Sequence, residues 1–229
     1  MVNLTVYVEG QSESAFVQQV LAPHLMNRGM NVWVMRSGGG GIRHWAGKRG
    51  VGSQLRQRLR QSKDSYPLFV TTMVDYYALP ADWPNRSSSS CLPKSERSSK
   101  VESGMLQAMR KLLGDDQRIE RFIPYVSLHE LEALILSKPE ALLNVFPRNE
   151  KAVRQIKKDI GSMQPEEVND DPNFAPSRRI ERFLPEYASG KSAAAVTTLK
   201  AIGLEHLREA CPHFGQWVAR LESLAETRD

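Results

Sequence analysis

Cysteine is nearly absent from this chain of 229 residues, where Cys91 and Cys211 are the only two. Two cysteines cannot form the disulfide framework of a small secreted domain, and neither has a partner at metal-site spacing. No stretch reaches the roughly 20 apolar residues needed to cross a bilayer, so no membrane association is expected. The N-terminus has no basic segment followed by an apolar stretch and a cleavage site, which argues against a secretory signal. These absences together point to a cytoplasmic protein. Also lacking are a complete P-loop, a dinucleotide fingerprint, and any Ser/His/Asp or Cys/His arrangement suited to acyl transfer. Ser189-Gly-Lys-Ser192 echoes a P-loop but has no preceding strand and no earlier glycine at the required spacing, so ATP binding is not expected there.

Hydrophobic residues make up 41% of the chain, enough for a soluble globular core of one large domain or two small ones. The formal charge is +5, with 31 Lys+Arg against 26 Asp+Glu. The basic residues cluster. Between Arg36 and Arg60 lie Arg43, Lys48, Arg49, Arg56 and Arg58, with no acidic residue among them. That run reads either as a solvated face or as a surface for a polyanion such as DNA or RNA.

The first half of the chain alternates strand-like and helix-like patterns. Strands are expected at Leu4–Val8, Asn31–Met35, Leu68–Val74 and Phe122–Ser127. Helices are expected at Ser12–Asn27, Gly52–Gln61, Lys100–Leu113 and Leu128–Leu136. This order predicts an α/β fold with a mostly parallel, Rossmann-like sheet flanked by helices. From 138 onward the pattern is helical, with segments at Pro139–Phe146, Glu150–Ile160, Ser177–Leu184, Ser192–Ile202, Leu204–Ala210 and His213–Glu226. Residues 1–137 therefore read as an α/β core and 138–229 as a helical region packed on it. Ser37-Gly-Gly-Gly-Gly41 reads as a mobile loop in preference to a phosphate cradle. Ala78 to Ser99, rich in Pro and Ser, reads as an exposed loop that could cover a site.

Three of the expected strands end in acid. Leu4–Val8 runs into Glu9-Gly10, with Ser12 placed to cap a helix and Glu13 one turn further on. Leu68–Val74 ends at Asp75. The fourth strand leads to His129-Glu-Leu-Glu132. In a parallel sheet these ends share one edge, where open α/β folds bind ligands. Glu9, Glu13, Asp75, Glu130 and Glu132 could therefore converge. Converging carboxylates repel each other unless a positive charge intervenes, and hard Mg²⁺ or Mn²⁺ suits oxygen ligands. The reaction class this suggests is metal-assisted phosphodiester hydrolysis. The alternative is that each carboxylate caps a helix or pairs with an arginine.

The segments Val8-Glu-Gly-Gln-Ser-Glu13, Val74-Asp-Tyr-Tyr-Ala-Leu-Pro80, Arg121-Phe-Ile-Pro-Tyr125, His129-Glu-Leu-Glu-Ala-Leu134, Ala175-Pro-Ser-Arg-Arg-Ile180 and Cys211-Pro-His-Phe214 resemble the DUF4276 family. The strand–Glu–Gly–helix start and the later strand ending in Asp are similar to the Toprim fold of topoisomerases, primases and OLD-type nucleases. That resemblance implies a nuclease. Glu9 would be its metal ligand or general acid/base, and Asp75 the first aspartate of an Asp-x-Asp motif. Tyr77 stands where the second aspartate belongs. Glu13 and Glu132 look similar in placement to the additional acids of OLD-type sites, and Lys191 to their basic residue near the scissile phosphate. The resemblance also implies a partner ABC- or SMC-like ATPase in bacterial phage defence, and its alternative is a decayed Toprim-like sensor module for that ATPase.

The remaining polar candidates are read both ways. Arg178 and Arg179 could bind phosphate or neutralise the acidic cluster, or could form structural pairs with Glu181 or Glu186. Arg43, Lys48 and Arg49 are candidates for nucleic-acid contact. Tyr76 and Tyr77 could stack on a base, though packing under the Pro/Ser-rich loop is the plainer role. His129 suits acid/base work or the orientation of a neighbouring glutamate. Whether the chain forms a homo-oligomer is left open by the sequence.

Overall fold

The computed structural model describes residues 2–38, 41–168 and 174–226. The centre of the glycine run, residues 39 and 40, lies outside them. Strand β1 (Val2–Val8) is buried on both faces, as a central strand of a parallel sheet must be. Leu4, Val6 and Val8 enter one apolar cluster, while Tyr7 enters a second on the opposite face. β2 (Met30–Arg36) and β3 (Leu68–Asp75) flank it in parallel, and two short strands, β4 (Phe122–Ile123) and β5 (Val126–Ser127), pair with β3. The order is β2-β1-β3-β4, all parallel, with helices on both faces. The fold is α/β and Rossmann-like.

That order fixes the site. From β1 the chain steps outward to β2 on one side, then returns to β3 on the other. The crevice between the carboxyl ends of β1 and β3 is therefore the topological switch point, where open α/β sheets bind ligands. Val8 lies level with Met73, which brings Glu9 and Asp75 to the same edge.

One face is covered by the first helical segment and by the C-terminal helices. That segment runs as α1 (Gln11–Phe16), a π turn (Val17–Leu21) and α2 (Ala22–Met26). The wide turn sits just before Pro23, which has no N–H to give and whose ring would crowd the carbonyl four residues back. Among the C-terminal elements are α7 (Glu150–Ile160), α8 (Pro176–Phe183), α9 (Lys191–Ile202), α10 (Leu204–Ala210) and α11 (Pro212–Glu226). Ala195, Leu199, Phe214 and Val218 share one core with Leu4 and Val6, so the chain from 138 onward is part of the same hydrophobic cluster as the sheet. The other face is covered by α3 (Val51–Arg60) and α5 (Lys94–Leu113).

Four expectations change. The fourth strand is split at Pro124, which cannot donate to a ladder. Thr72 repairs the gap: its hydroxyl donates to the Tyr125 carbonyl at 2.8 Å and accepts from the Tyr125 N–H at 2.9 Å. The helix expected over Leu128–Leu136 shrinks to α6 (Glu132–Ile135), because Glu130 is held in the preceding turn by a contact to α8. Pro139–Asn144 forms a 3₁₀ segment. The segment from Ala78 to Ser99 is folded: it contains α4 (Arg86–Ser89), and Trp83 is buried edge-on to Trp45 with its indole N–H donating to the Arg43 carbonyl.

Behind the split strand, Tyr125 stacks on Trp217 at 4.3 Å, and the Trp217 indole donates to Thr71. Thr72→Val keeps the volume of this buried side chain but orphans the Tyr125 N–H and C=O. The expected loss is about 1–3 kcal/mol, read as a lower urea midpoint with an unchanged slope.

Candidate functional site

Gly10 closes β1 and opens α1. No side chain longer than hydrogen is welcome there, since a Cβ on Gly10 would lie 3.0 Å from Glu13 Oε2. Glu13 accepts the Gly10 N–H at 3.1 Å, so Glu13 and not Ser12 secures this turn. Ser12 instead meets Ser192 across the molecule, hydroxyl to hydroxyl at 2.8 Å. That contact ties the start of α1 to the start of α9 and sets Lys191 beside the acidic cluster.

Asp75 ends β3, and its carboxylate accepts the Tyr77 N–H at 2.8 Å. The Asp75 backbone N–H faces the Glu9 carboxylate and favours its ionised form. On the far side of β3, Asp75 is level with Ser127 of β5, which brings Glu130 and Glu132 round to the same edge. Glu130 accepts the Ser177 N–H at 3.1 Å and so caps α8 from outside. Glu132 is almost fully buried. Its charge is met by the Tyr187 hydroxyl at 3.1 Å and by Lys191 Nζ at 3.4 Å. Lys191 also lies 3.8 Å from Glu130.

The electrostatics show the convergence directly. Burial pushes the Glu9 carboxyl up to about 7, and the neighbouring Glu13 and Glu130 charges add to the rise against the Asp75 N–H. Asp75 is driven well above the ordinary aspartate value, first by burial and then by Glu9, Glu130 and Glu13. Burial also raises Glu13, with Lys191 opposing and Glu130 adding. Glu132 is raised by burial and by Glu130, again against Lys191. Glu9 and Asp75 each keep a face open to solvent while protein surrounds their other sides.

The five basic residues expected to meet phosphate or nucleic acid fall elsewhere. Arg178 pairs with Glu181 at 3.0 Å, and Arg179 with Asp159 on α7. Both arginines are engaged in structural pairs, so neither neutralises the carboxylates; Lys191 does. The Arg43 guanidinium folds onto the Gly38 carbonyl. Lys48 and Arg49 are exposed in the turn before α3. Tyr77 stacks on His129, with ring centres 5.3 Å apart and planes at 19°, and its hydroxyl accepts from Arg97. It is thus partly packed, though still exposed on one side. Tyr187 was invisible to motif reading. Its only sign is a tyrosine shortly before Gly190-Lys191, and its partner lies 55 residues away.

A divalent cation fits the chemistry of this donor set. The side chains are oxygen ligands, they are raised by burial and then by mutual repulsion, and a cation would relieve both. Among the described residues, no group of three or more His, Cys, Asp or Glu side chains is already arranged as a metal-binding set. Binding would have to draw the carboxylates inward.

The sequence model of a family described as a domain of unknown function, DUF4276, matches residues 8–222. The chain belongs to the DUF4276 family. The match begins at Val8, next to Glu9, and takes in every carboxylate of the cluster together with Lys191. No curated protein and no solved structure matches this family member. Among the described residues no helix is long and apolar enough to cross a membrane.

The raised carboxyls give a pH signature. In the folded chain Glu9 holds its proton up to about 7, against an ordinary value of 4.5. The folded state therefore binds more protons than the unfolded state between those values, and stability falls as pH rises through that window. Glu13, Asp75 and Glu132 shift the same way and add to the fall. In EDTA, thermal unfolding should show a lower Tm at pH 8 than at pH 5. Glu9→Gln should raise the Tm at pH 8 and flatten the profile. A profile that Glu9→Gln leaves unchanged would remove Glu9 from the cluster.

Proposed function

We propose that this protein is a Mg²⁺- or Mn²⁺-dependent phosphodiester hydrolase acting on nucleic acid. The observation that carries the reading is the set of carboxylates gathered at the switch point: Glu9 and Asp75 from adjacent strands, with Glu13 and Glu130 close enough to raise both, and Lys191 opposing the rise at Glu13 and Glu132. In this reading Glu9 and Asp75 hold the ion, and Glu13 and Glu130 are near enough to complete its shell. When bound, the cation offsets charge developing on the phosphoryl group and activates water. The chain supplies the rest. Without an ion Glu9 binds a proton near neutrality, so ion and proton compete for the same carboxylate. The Glu132–Lys191 pair, buttressed by Tyr187, sets an ammonium beside the substrate phosphate. Ser192 and Ser12 keep that ammonium in register with α1.

The likeness to Toprim nucleases supports the same chemistry from the sequence side and extends it to an ABC- or SMC-like ATPase partner. A second reading has its own observation. Tyr77 occupies the second acidic position of the Toprim motif and stacks on His129. Under that reading the core is a decayed sensor module that binds nucleic acid or protein for the ATPase and does not cut.

Purified protein with Mn²⁺, alone and with its ATPase, should cleave plasmid DNA or single-stranded RNA. Glu9→Gln and Asp75→Asn should each lower the rate by about 100-fold or more, and each should weaken Mn²⁺ binding measured by electron paramagnetic resonance. No cleavage and no Glu9-dependent Mn²⁺ site overturns the hydrolase. Mn²⁺ binding without cleavage favours the sensor.

A further inference from the structure

The basic run between Arg36 and Arg60 is sorted by the fold into two sets. Arg43 is spent on the Gly38 carbonyl, and Arg58 donates to Thr5 Oγ1 at 2.9 Å and to Gln61 at 2.6 Å. Lys48, Arg56 and Arg60 instead line one groove of about 480 Å³ together with Gly47, Ser53 and Gln57. Ser53, Arg56, Gln57 and Arg60 recur at helical spacing along α3, opposite the buried stripe of Val51, Leu55 and Leu59. Arg56 and Arg60 stand one turn apart, about 6 Å along the axis. Lys48 joins them from the preceding turn.

Among the described residues no acidic side chain lines the groove. Asp116 feels the Arg60 charge, but Arg118 already holds that carboxylate at 2.7 Å. Another arginine-bearing depression, around Phe174, Arg178, Arg179 and Arg182, is different. There Glu181 and Asp159 compensate the charge.

The groove's chemistry also separates its candidate partners. Protein interfaces centre on aromatic or aliphatic anchors and are poor in lysine. This groove has no such anchor among the described residues; between its cations stand the Gln57 amide, able to bond phosphate or sugar oxygens, and Ser53, whose hydroxyl donates to the Gly47 carbonyl at 2.8 Å. α3 begins after the carboxyl end of β2, and Arg36 there is level with Val8, the residue before Glu9.

We infer that the α3 groove is a sequence-independent track for a nucleic-acid backbone, with Lys48, Arg56 and Arg60 as its phosphate contacts. The inference rests on the phosphodiesterase reading for its substrate class, but it is a binding claim and is tested without the metal. Anisotropy of labelled duplex DNA and of single-stranded RNA is measured with the full chain in EDTA, between about 50 and 200 mM salt. The triple variant Lys48→Gln/Arg56→Gln/Arg60→Gln should bind at least tenfold more weakly at low salt. Its log–log salt slope on duplex should fall by about 2 to 3. The two arms show which polymer the track prefers. Lys151→Gln/Lys200→Gln/Arg220→Gln removes the same charge from exposed positions elsewhere and should stay within about twofold.

Equal loss in both triple variants, no loss in either, or no nucleic-acid affinity in the native chain overturns the track. So does a groove variant that loses only an acidic protein partner. If the track binds as expected but nothing is cut with Mn²⁺, the hydrolase reading falls and the track stands. If cutting is intact and the groove variant binds normally, the reverse holds.

Discussion

Carboxylates that repel one another at the switch point of the sheet set the terms for everything around them. Glu9, Glu13 and Glu130 each raise at least one other member, Asp75 is raised by all three, and Glu132 joins through Glu130. Such a cluster costs stability unless its surroundings are polarised to match. Here the match comes from three helix starts. The Gly10 N–H at the head of α1 serves Glu13, the Ser177 N–H at the head of α8 serves Glu130, and Lys191 at the head of α9 serves Glu130 and Glu132. A helix N-terminus carries partial positive charge, so each of these contacts favours the ionised acid. One lysine and two helix N–H groups still leave Glu9, Glu13, Asp75 and Glu132 raised, first by burial and then by their neighbours. A cation bound there would relieve both causes.

The helical half of the chain follows from that need. α8 and α9 belong to the region after the sheet, yet they furnish the Ser177 N–H, Tyr187 nearby and Lys191 itself. A sheet with its first helices alone would hold Glu13 without the Lys191 charge that opposes its rise. The shared apolar core, with Ala195 and Phe214 packed among Leu4 and Val6, is what keeps α9 and α11 close enough to serve the carboxyl edge. The Ser12–Ser192 contact then sets register locally.

Much of this was legible in the sequence because it rests on short-range rules. The apolar, β-branched runs Leu4–Val8 and Leu68–Val74, each closed by an acid, place Glu9 and Asp75 at strand ends whatever the rest of the chain does. The helices from Glu150 to Glu226 follow from apolar spacing broken by prolines. What was not legible depends on partners distant in sequence. Nothing local says that Ser12 will meet Ser192 instead of capping its own helix, or that Glu130 will leave its expected helix to cap α8. The pair of Arg178 with Glu181 is one of the two roles the sequence allows, but nothing local says that Arg179 will pair with Asp159 on α7. The Pro/Ser-rich segment was misread for a similar reason. Its composition says loop, but Trp83 finds Trp45 and a carbonyl for its indole, and one buried tryptophan outweighs the neighbouring serines.

Tyr77 is where the sequence pattern and the packing pull in different directions. An aspartate there would add a sixth negative group beside acids that already destabilise one another. The tyrosine adds none, and it fills the space by stacking on His129 and meeting Arg97. On the hydrolase proposed above, a tyrosine at this position would lower the charge presented to a second cation far more than to a first, because Glu9 and Asp75 lie on adjacent strands. One ion would then be favoured over two, the burden of stabilising charge on the departing oxygen would pass to a side chain, and the ammonium of Lys191, held by Glu132 beside Tyr187, would be the group to carry it.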